Sequence, residues 1–348
     1  MVGLMTQANG TRFTTEAQLD TRYLGEIADF WQRGEFAHFN GVENTRINYA
    51  AFLHKQENEG QQSKCLVISS GRTEAYLKYK ELSFDLFSLG YNVFLIDHRG
   101  QGLSARSLEN PHKGHVDNFQ YYVDDLAHFI DNIVTPHCNQ VDKAAKPYLL
   151  AHSMGGAIAA RYLQVHPDSI QAAVLSSPML GFNGGGMPDF IAQMLISTTT
   201  KLNQWFGDTP WYFLGQSDYA PGEFSKNSLV HSALRYQQLE QTYQDNPDIQ
   251  LGGITVKWLT ESIKALETIF ANIDKITTPT IVMQSGADTI VKNQSQDDFC
   301  QQLHQLQPKS CPGGKPFVVN NAKHELFFES DIYRQPALSE AIAWFEQH

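Results

Sequence analysis

Apolar and polar positions alternate along residues 34–55 on both sides of a polar turn. Phe36, His38 and Asn40 lead into Asn40-Gly41-Val42-Glu43-Asn44, and Ile47, Tyr49 and Ala51 alternate on the return. That pattern predicts a β-hairpin. The alternation then gives way to short unbroken apolar runs, Cys65-Leu66-Val67-Ile68 and Val93-Phe94-Leu95-Ile96. Such runs predict strands covered on both faces. Between them, Tyr79, Leu82, Leu86 and Leu89 recur at helical spacing and stop at Gly90. The rhythm continues with a helix over 119–133, a strand at 148–150, a helix over 155–165 that ends before His166-Pro167, and a strand at 172–175. It resumes at 280–283 and 317–319 and closes with an amphipathic helix over 336–345. Strands alternating with helices predict right-handed crossovers and a mostly parallel sheet, an α/β fold.

From about residue 179 to 272 the rhythm fails. Gly184-Gly185-Gly186-Met187-Pro188 opens a long, largely helical stretch rich in Trp, Tyr and Phe. An insertion between two strands of one sheet reads as a lid over the carboxyl edge, where such sheets place ligands. The expected division is a core made of residues 1–178 and 273–348, with a helical cap over 179–272. Within the cap, Phe190, Ile191, Met194, Leu195, Leu202, Trp205 and Phe206 make one broad apolar face. Turned inward, it lines an acyl-chain path, with Phe190, Met194 and Trp205 as candidate substrate contacts. Turned outward, it dips into a membrane interface. A third reading packs it on the sheet as core. Met187 and Met194 add adaptable apolar surface.

The formal net charge of the 348 residues is -11. An acidic surface repels phosphate backbones and anionic headgroups, so no nucleic acid partner is expected, and any membrane contact must be short-range and apolar. No apolar run is long enough to span a bilayer, and residues 1–20 lack a secretory pattern. The expected location is cytoplasmic, with peripheral contact to the inner membrane. Cysteines 65, 138, 300 and 311 show no C-x-x-C pair, which points to free thiols in a reducing compartment. A Cys300–Cys311 bridge is expected only on export.

The chemistry concentrates at Leu149-Leu150-Ala151-His152-Ser153-Met154-Gly155-Gly156-Ala157. Strand, tight turn and small-residue helix in succession form a nucleophile elbow with Ser153 at its tip. A serine hydroxyl needs a base to take its proton. The strand at 281–283 runs into Asp288 and the strand at 317–319 into His324, so these fall in the acid-then-base order of such folds. Asp297 and Asp298 lie inside a helical pattern and are weaker choices. The Met154 amide and the Arg72 amide, which follows Gly71, are the candidate oxyanion donors. The Arg72 side chain is expected to face solvent, with contact to a phosphate as the alternative. No metal or cofactor is expected. His324-Glu325-Leu326-Phe327-Phe328 is not H-E-x-x-H, His112-x-x-His115 lacks a third ligand, and no Gly-rich phosphate loop is present.

Four segments stand in a familiar order: residues 96–104 (Ile-Asp-His-Arg-Gly-Gln-Gly-Leu-Ser), 151–156 (Ala-His-Ser-Met-Gly-Gly), Ser285-Gly286-Ala287-Asp288 and Lys323-His324-Glu325. Over about residues 36–347 the chain resembles the monoglyceride-lipase-like serine hydrolases, bacterial lysophospholipases among them. It departs at Ala151 in the elbow and at Ser69-Ser70-Gly71, where many relatives have His-Gly. The resemblance implies an α/β-hydrolase fold, Ser153, Asp288 and His324 as the triad, and cleavage of one acyl ester on a glycerol backbone. The leading expectation is a lysophospholipase that releases a fatty acid through an acyl-enzyme. A monoacylglycerol lipase or general carboxylesterase is the alternative, peptidase and haloperoxidase activities rank lower, and a silent scaffold that binds a partner is the non-enzyme reading.

Overall fold

The computed structural model describes residues 12–55, 64–139, 144–183 and 189–348. Eight strands form one sheet: β1 (Glu35–Asn40), β2 (Arg46–Phe52), β3 (Lys64–Ser69), β4 (Tyr91–Ile96), β5 (Tyr148–His152), β6 (Ala173–Ser176), β7 (Thr280–Ser285) and β8 (Phe317–Val319). Their order is β1-β2-β4-β3-β5-β6-β7-β8. The β1–β2 hairpin joins antiparallel, and β4, β3, β5, β6, β7 and β8 run parallel. The fold is that of an α/β hydrolase, as expected.

The helices are α1 (Glu16–Leu24), α2 (Glu26–Trp31), α3 (Lys80–Ser88), α4 (Gln120–Phe129), α5 (Thr135–Cys138), α6 (Met154–Val165), α7 (Asp189–Phe206), α8 (Ala233–Asp245), α9 (Val256–Ala271), α10 (Asn293–Leu306) and α11 (Asp331–Gln347). They cover both faces of the sheet, which explains the unbroken apolar runs. On β3 the side chains divide by parity. Cys65 and Val67 join the core formed with α4, α6, α9 and α10, while Leu66 and Ile68 join the one formed with α2, α3 and α11. The apolar face of α9 (Trp258, Leu259, Leu266, Ile269) belongs to the first of these cores.

One feature departs from expectation. The cysteines are paired, Cys65 with Cys138 and Cys300 with Cys311, which corrects the expectation of free thiols and removes the argument for a reducing compartment that rested on it. From residue 12 on, the N-terminal stretch is structured, and Phe13, Leu19, Ile27 and Phe30 are buried while Leu24 is exposed. Thr14 donates its amide and hydroxyl to Asp85 of α3 at 2.9 and 2.7 Å. Glu16 accepts the Ser232 hydroxyl at the start of α8 at 2.5 Å and the Asp331 amide of α11 at 3.2 Å. One carboxylate thus fastens the inserted region to the core.

Candidate active site

β5 ends at His152, and α6 begins at Met154. Ser153 between them has φ 51° and ψ −116°, a conformation that non-glycine residues rarely adopt. The strain is sustained by close packing of small residues. A Cβ on Gly155 would run into the backbone carbonyls of Ser69 and Ser70, and one on Gly156 into Pro178. These contacts press the first turn of α6 against the end of β3. Ala151 is fully buried in its strand, paired with Ser69 and Leu175, so the extra methyl is accommodated.

The three residues picked from the sequence converge. Ser153 Oγ lies 2.9 Å from His324 Nε2, and His324 Nδ1 lies 2.6 Å from Asp288 Oδ2. The loop after β7 carries Asp288 and the loop after β8 carries His324, so the carboxyl ends of adjacent strands bring them together. Asp288 Oδ1 accepts the amides of Ile290 and Val291 at 2.7 and 3.2 Å. Burial opposes its charge, but the His324 ring and these amides prevail and hold the carboxyl below its ordinary range. The alternative Asp297 on α10 accepts the Gln284 side-chain amide of β7.

The loop after β3 faces the same turn of α6. Glu74 shapes it: its Oε2 accepts the Gly71 amide and the Tyr79 hydroxyl, each at 2.5 Å. Gln101 donates to the carbonyls of Gly71 and Glu74 at 2.7 and 3.1 Å. The Arg72 amide takes no part in this bonding. The Met154 amide opens α6 and so has no partner inside the helix. Both candidate oxyanion donors therefore sit on adjoining segments, and among the described residues neither N–H has a hydrogen-bond partner. Thr73, next in the loop, has φ 65° and passes its carbonyl to the Tyr243 hydroxyl of α8 at 2.7 Å. The Arg72 side chain is partly buried rather than fully turned to solvent as expected. It reaches under the inserted region, where Nη1 donates to the Gly252 carbonyl at 2.9 Å.

Sequence reading missed a buried ionic cluster behind His324. Lys78 Nζ contacts Glu74 at 2.5 Å and Glu325 at 2.7 Å. Its burial opposes the charge, but the two carboxylates prevail and hold its pKa up. Glu74 is held at about 2, its burial outweighed mainly by Lys78. His152, with its ring 4.9 Å from that of His324, is pushed down to about 3 by burial and stands neutral. Glu74, His152 and Glu325 group their ligand atoms within 4.8 Å, the spacing of a metal site, but the ammonium of Lys78 already pairs with both carboxylates. The Glu74/Lys78 spacing of four was the one signal available, and it is equally that of a surface helix pair. His115, of the weak His112/His115 pair, bonds Thr255 and Asp117 instead.

The cap contacts expected for substrate are not assembled here. Met194 and Trp205 on α7 are 60% and 72% exposed, which favours the outward reading of this face over an enclosed acyl path. Met187 and the side chain of Phe190 lie outside the described residues.

Comparison with known proteins gives a consistent picture. The family described as serine aminopeptidase, S33 matches residues 60–331. Lysophospholipase L2 of Escherichia coli (strain K12) is 38% identical over 325 residues, 93% of this chain and 91% of that protein. A probable lysophospholipase L2 of Haemophilus influenzae is 32% identical over 315 residues, 90% of this chain and 93% of that one. Among solved structures, a soluble variant of monoglyceride lipase from Saccharomyces cerevisiae, in complex with a substrate analog, superposes with a TM-score of 0.64 at 18% identity, covering 90% of this chain and 96% of that one.

Proposed function

Because the chain belongs to the serine hydrolase family described as serine aminopeptidase, S33, alongside the lysophospholipase L2 proteins, we infer that it hydrolyses the acyl ester of lysophospholipids and releases a free fatty acid. It is a carboxylic ester hydrolase. The observation that carries the mechanism is the continuous chain of contacts Ser153–His324–Asp288, at 2.9 and 2.6 Å.

In this reading, His324 Nε2 takes the Ser153 proton as Oγ attacks the ester carbonyl. The developing oxyanion is met by the Met154 and Arg72 amides. His324 then returns the proton to the leaving glycerol oxygen, and a second cycle with water frees the fatty acid. Asp288 holds the imidazole tautomer and steadies its charged form. Monoacylglycerol is the second reading, favoured by the fold shared with the yeast monoglyceride lipase.

We place the cap at residues 179–272, with α9 as its root in the core. Among the described residues, no helix is long and apolar enough to cross a membrane. Leu202, Trp205 and Phe206 of α7 are 41%, 72% and 72% exposed, and this face supports a peripheral seat on a membrane surface.

The test is a panel of lysophosphatidylcholine, lysophosphatidylethanolamine and monoolein at equal micellar concentration. The Ser153→Ala variant is expected to lower fatty-acid release by roughly 10⁴-fold or more with an unchanged circular dichroism spectrum. A fluorophosphonate probe should label the wild type and spare the variant. Release that survives the substitution at near-original rate would exclude the mechanism, and failure of the wild type to label would favour a silent scaffold.

A further inference from the structure

Three buried arginines hold carboxylates. Arg99 pairs with Asp125 at 2.7 Å, Arg235 with Glu81 at 2.9 Å and Arg334 with Asp85 at 2.8 Å. Arg72 has no such partner among the described residues. One of its nitrogens, Nη1, donates to the Gly252 carbonyl at 2.9 Å, and its guanidinium carbon stands 6.0 Å from the centre of the Trp258 ring. Nε and Nη2 have no protein partner among the described residues. The polar groups that face it electrostatically are the phenols Tyr122 and Tyr243, and burial pulls its pKa down. The ring beside it is fixed in turn, since Trp258 Nε1 donates to Tyr122 at 3.2 Å. A partly buried guanidinium with a free edge matches a phosphate through two parallel N–H donors.

Its place in the fold gives the anion an identity. Arg72 belongs to the loop after β3, and its backbone amide is the candidate donor for the ester oxygen. Its side chain runs from that point to the Gly252 carbonyl of the inserted region and the Trp258 ring. In a lysophospholipid, the glycerol carbons carry the phosphate away from the ester carbonyl over a length similar to an arginine side chain. The protein as a whole carries a net charge of -11, so an anionic headgroup gains nothing from the long-range field and needs a local cation.

We propose that the Arg72 guanidinium receives the phosphodiester of the substrate, and that this contact separates lysophospholipids from neutral monoacylglycerols. The proposal rests on the ester-hydrolase reading above and deepens it.

The test compares kcat/KM for lysophosphatidylethanolamine and for a monoacylglycerol of the same acyl chain in the same micelles. Wild type, Arg72→Gln and Arg72→Lys are each assayed on both. The ratio of the two substrates is expected to fall about 30-fold in Arg72→Gln and about fivefold in Arg72→Lys, where one point charge replaces the fork. Any damage to the oxyanion loop or loss of folded protein lowers both substrates together and cancels in the ratio. In a second arm, sn-glycero-3-phosphoethanolamine and inorganic phosphate are tested as inhibitors of monoacylglycerol turnover. Inhibition by the glycerophosphodiester that weakens in Arg72→Gln supports the headgroup contact. Inhibition by inorganic phosphate alone overturns it in favour of a free-anion site. An unchanged ratio in Arg72→Gln, with wild-type turnover of both lipids intact, overturns the assignment of Arg72 alone. Wild-type turnover of monoacylglycerol without any lysophospholipid turnover overturns the substrate reading itself.

Discussion

At the scale of single residues, burial set against ionic and hydrogen-bond partners decides which groups are charged. Asp97, after β4, is fully buried and accepts the amides of Tyr76 and Leu103 at 2.6 and 2.7 Å. Burial still prevails and raises its pKa from 3.8 to about 7. The folded protein therefore keeps a proton there that the unfolded chain releases near its ordinary value. Stability from this group should decline as pH rises from about 4 to about 7 and level off above. Urea midpoints measured at pH 5, 6, 7 and 8 should show the decline in the wild type, and Asp97→Asn should flatten it. A wild-type midpoint that rises across the range, with the variant following in parallel, would show that Asp97 does not govern this window. The convergence of Ser153, His324 and Asp288 was legible in the sequence because chain order and strand ends constrain it. The cluster of Glu74, Lys78, His152 and Glu325 was not, because lysines and glutamates ordinarily mark the surface and only tertiary packing draws these inward. The turn of the Arg72 side chain was hidden for the same reason.

At the scale of elements, most periodic segments fell where the pattern placed them, but the closing helix, expected over 336–345, runs from Asp331 to Gln347 with Pro336 inside it. The apolar runs at 65–68 and 93–96 lie within β3 and β4, and the elbow helix α6 starts one residue early, at Met154. The sequence was silent where few apolar residues carry an element. α1 buries Leu19 alone, and α2 buries Ile27 and Phe30, too sparse a stripe to announce a helix. The direction of the α7 face was likewise open, since amphipathic spacing says that a face exists and not what covers it. The link between α8 and the oxyanion loop, Tyr243 to the Thr73 carbonyl, is also tertiary. It steadies a residue in a left-handed conformation beside a candidate catalytic amide. Removing it with Tyr243→Phe should cost about 1 kcal/mol of that ordering, or about fivefold in kcat on a soluble p-nitrophenyl ester, with little change in KM. A rise in KM at constant kcat would instead assign Tyr243 to substrate binding.

At the scale of the whole molecule, the charge and the exposed aromatics of α7 point to one mode of membrane contact. With a net charge of -11, adhesion must come from apolar insertion rather than from attraction to anionic lipid. A Trp205→Ala/Phe206→Ala double variant should bind zwitterionic vesicles roughly tenfold more weakly in a sedimentation assay, and added salt should not release the wild type. Release by salt, or equal binding of the variant, would contradict this. The clasp made by Glu16 sets a limit on how such a contact opens the enzyme. It pins the N-terminal end of α8 to the α11 side of the molecule, while the outer face of α7 stands free. On the cap reading proposed above, the inserted region is therefore expected to yield first at its free margin, with the pinned margin staying in register with the machinery beneath.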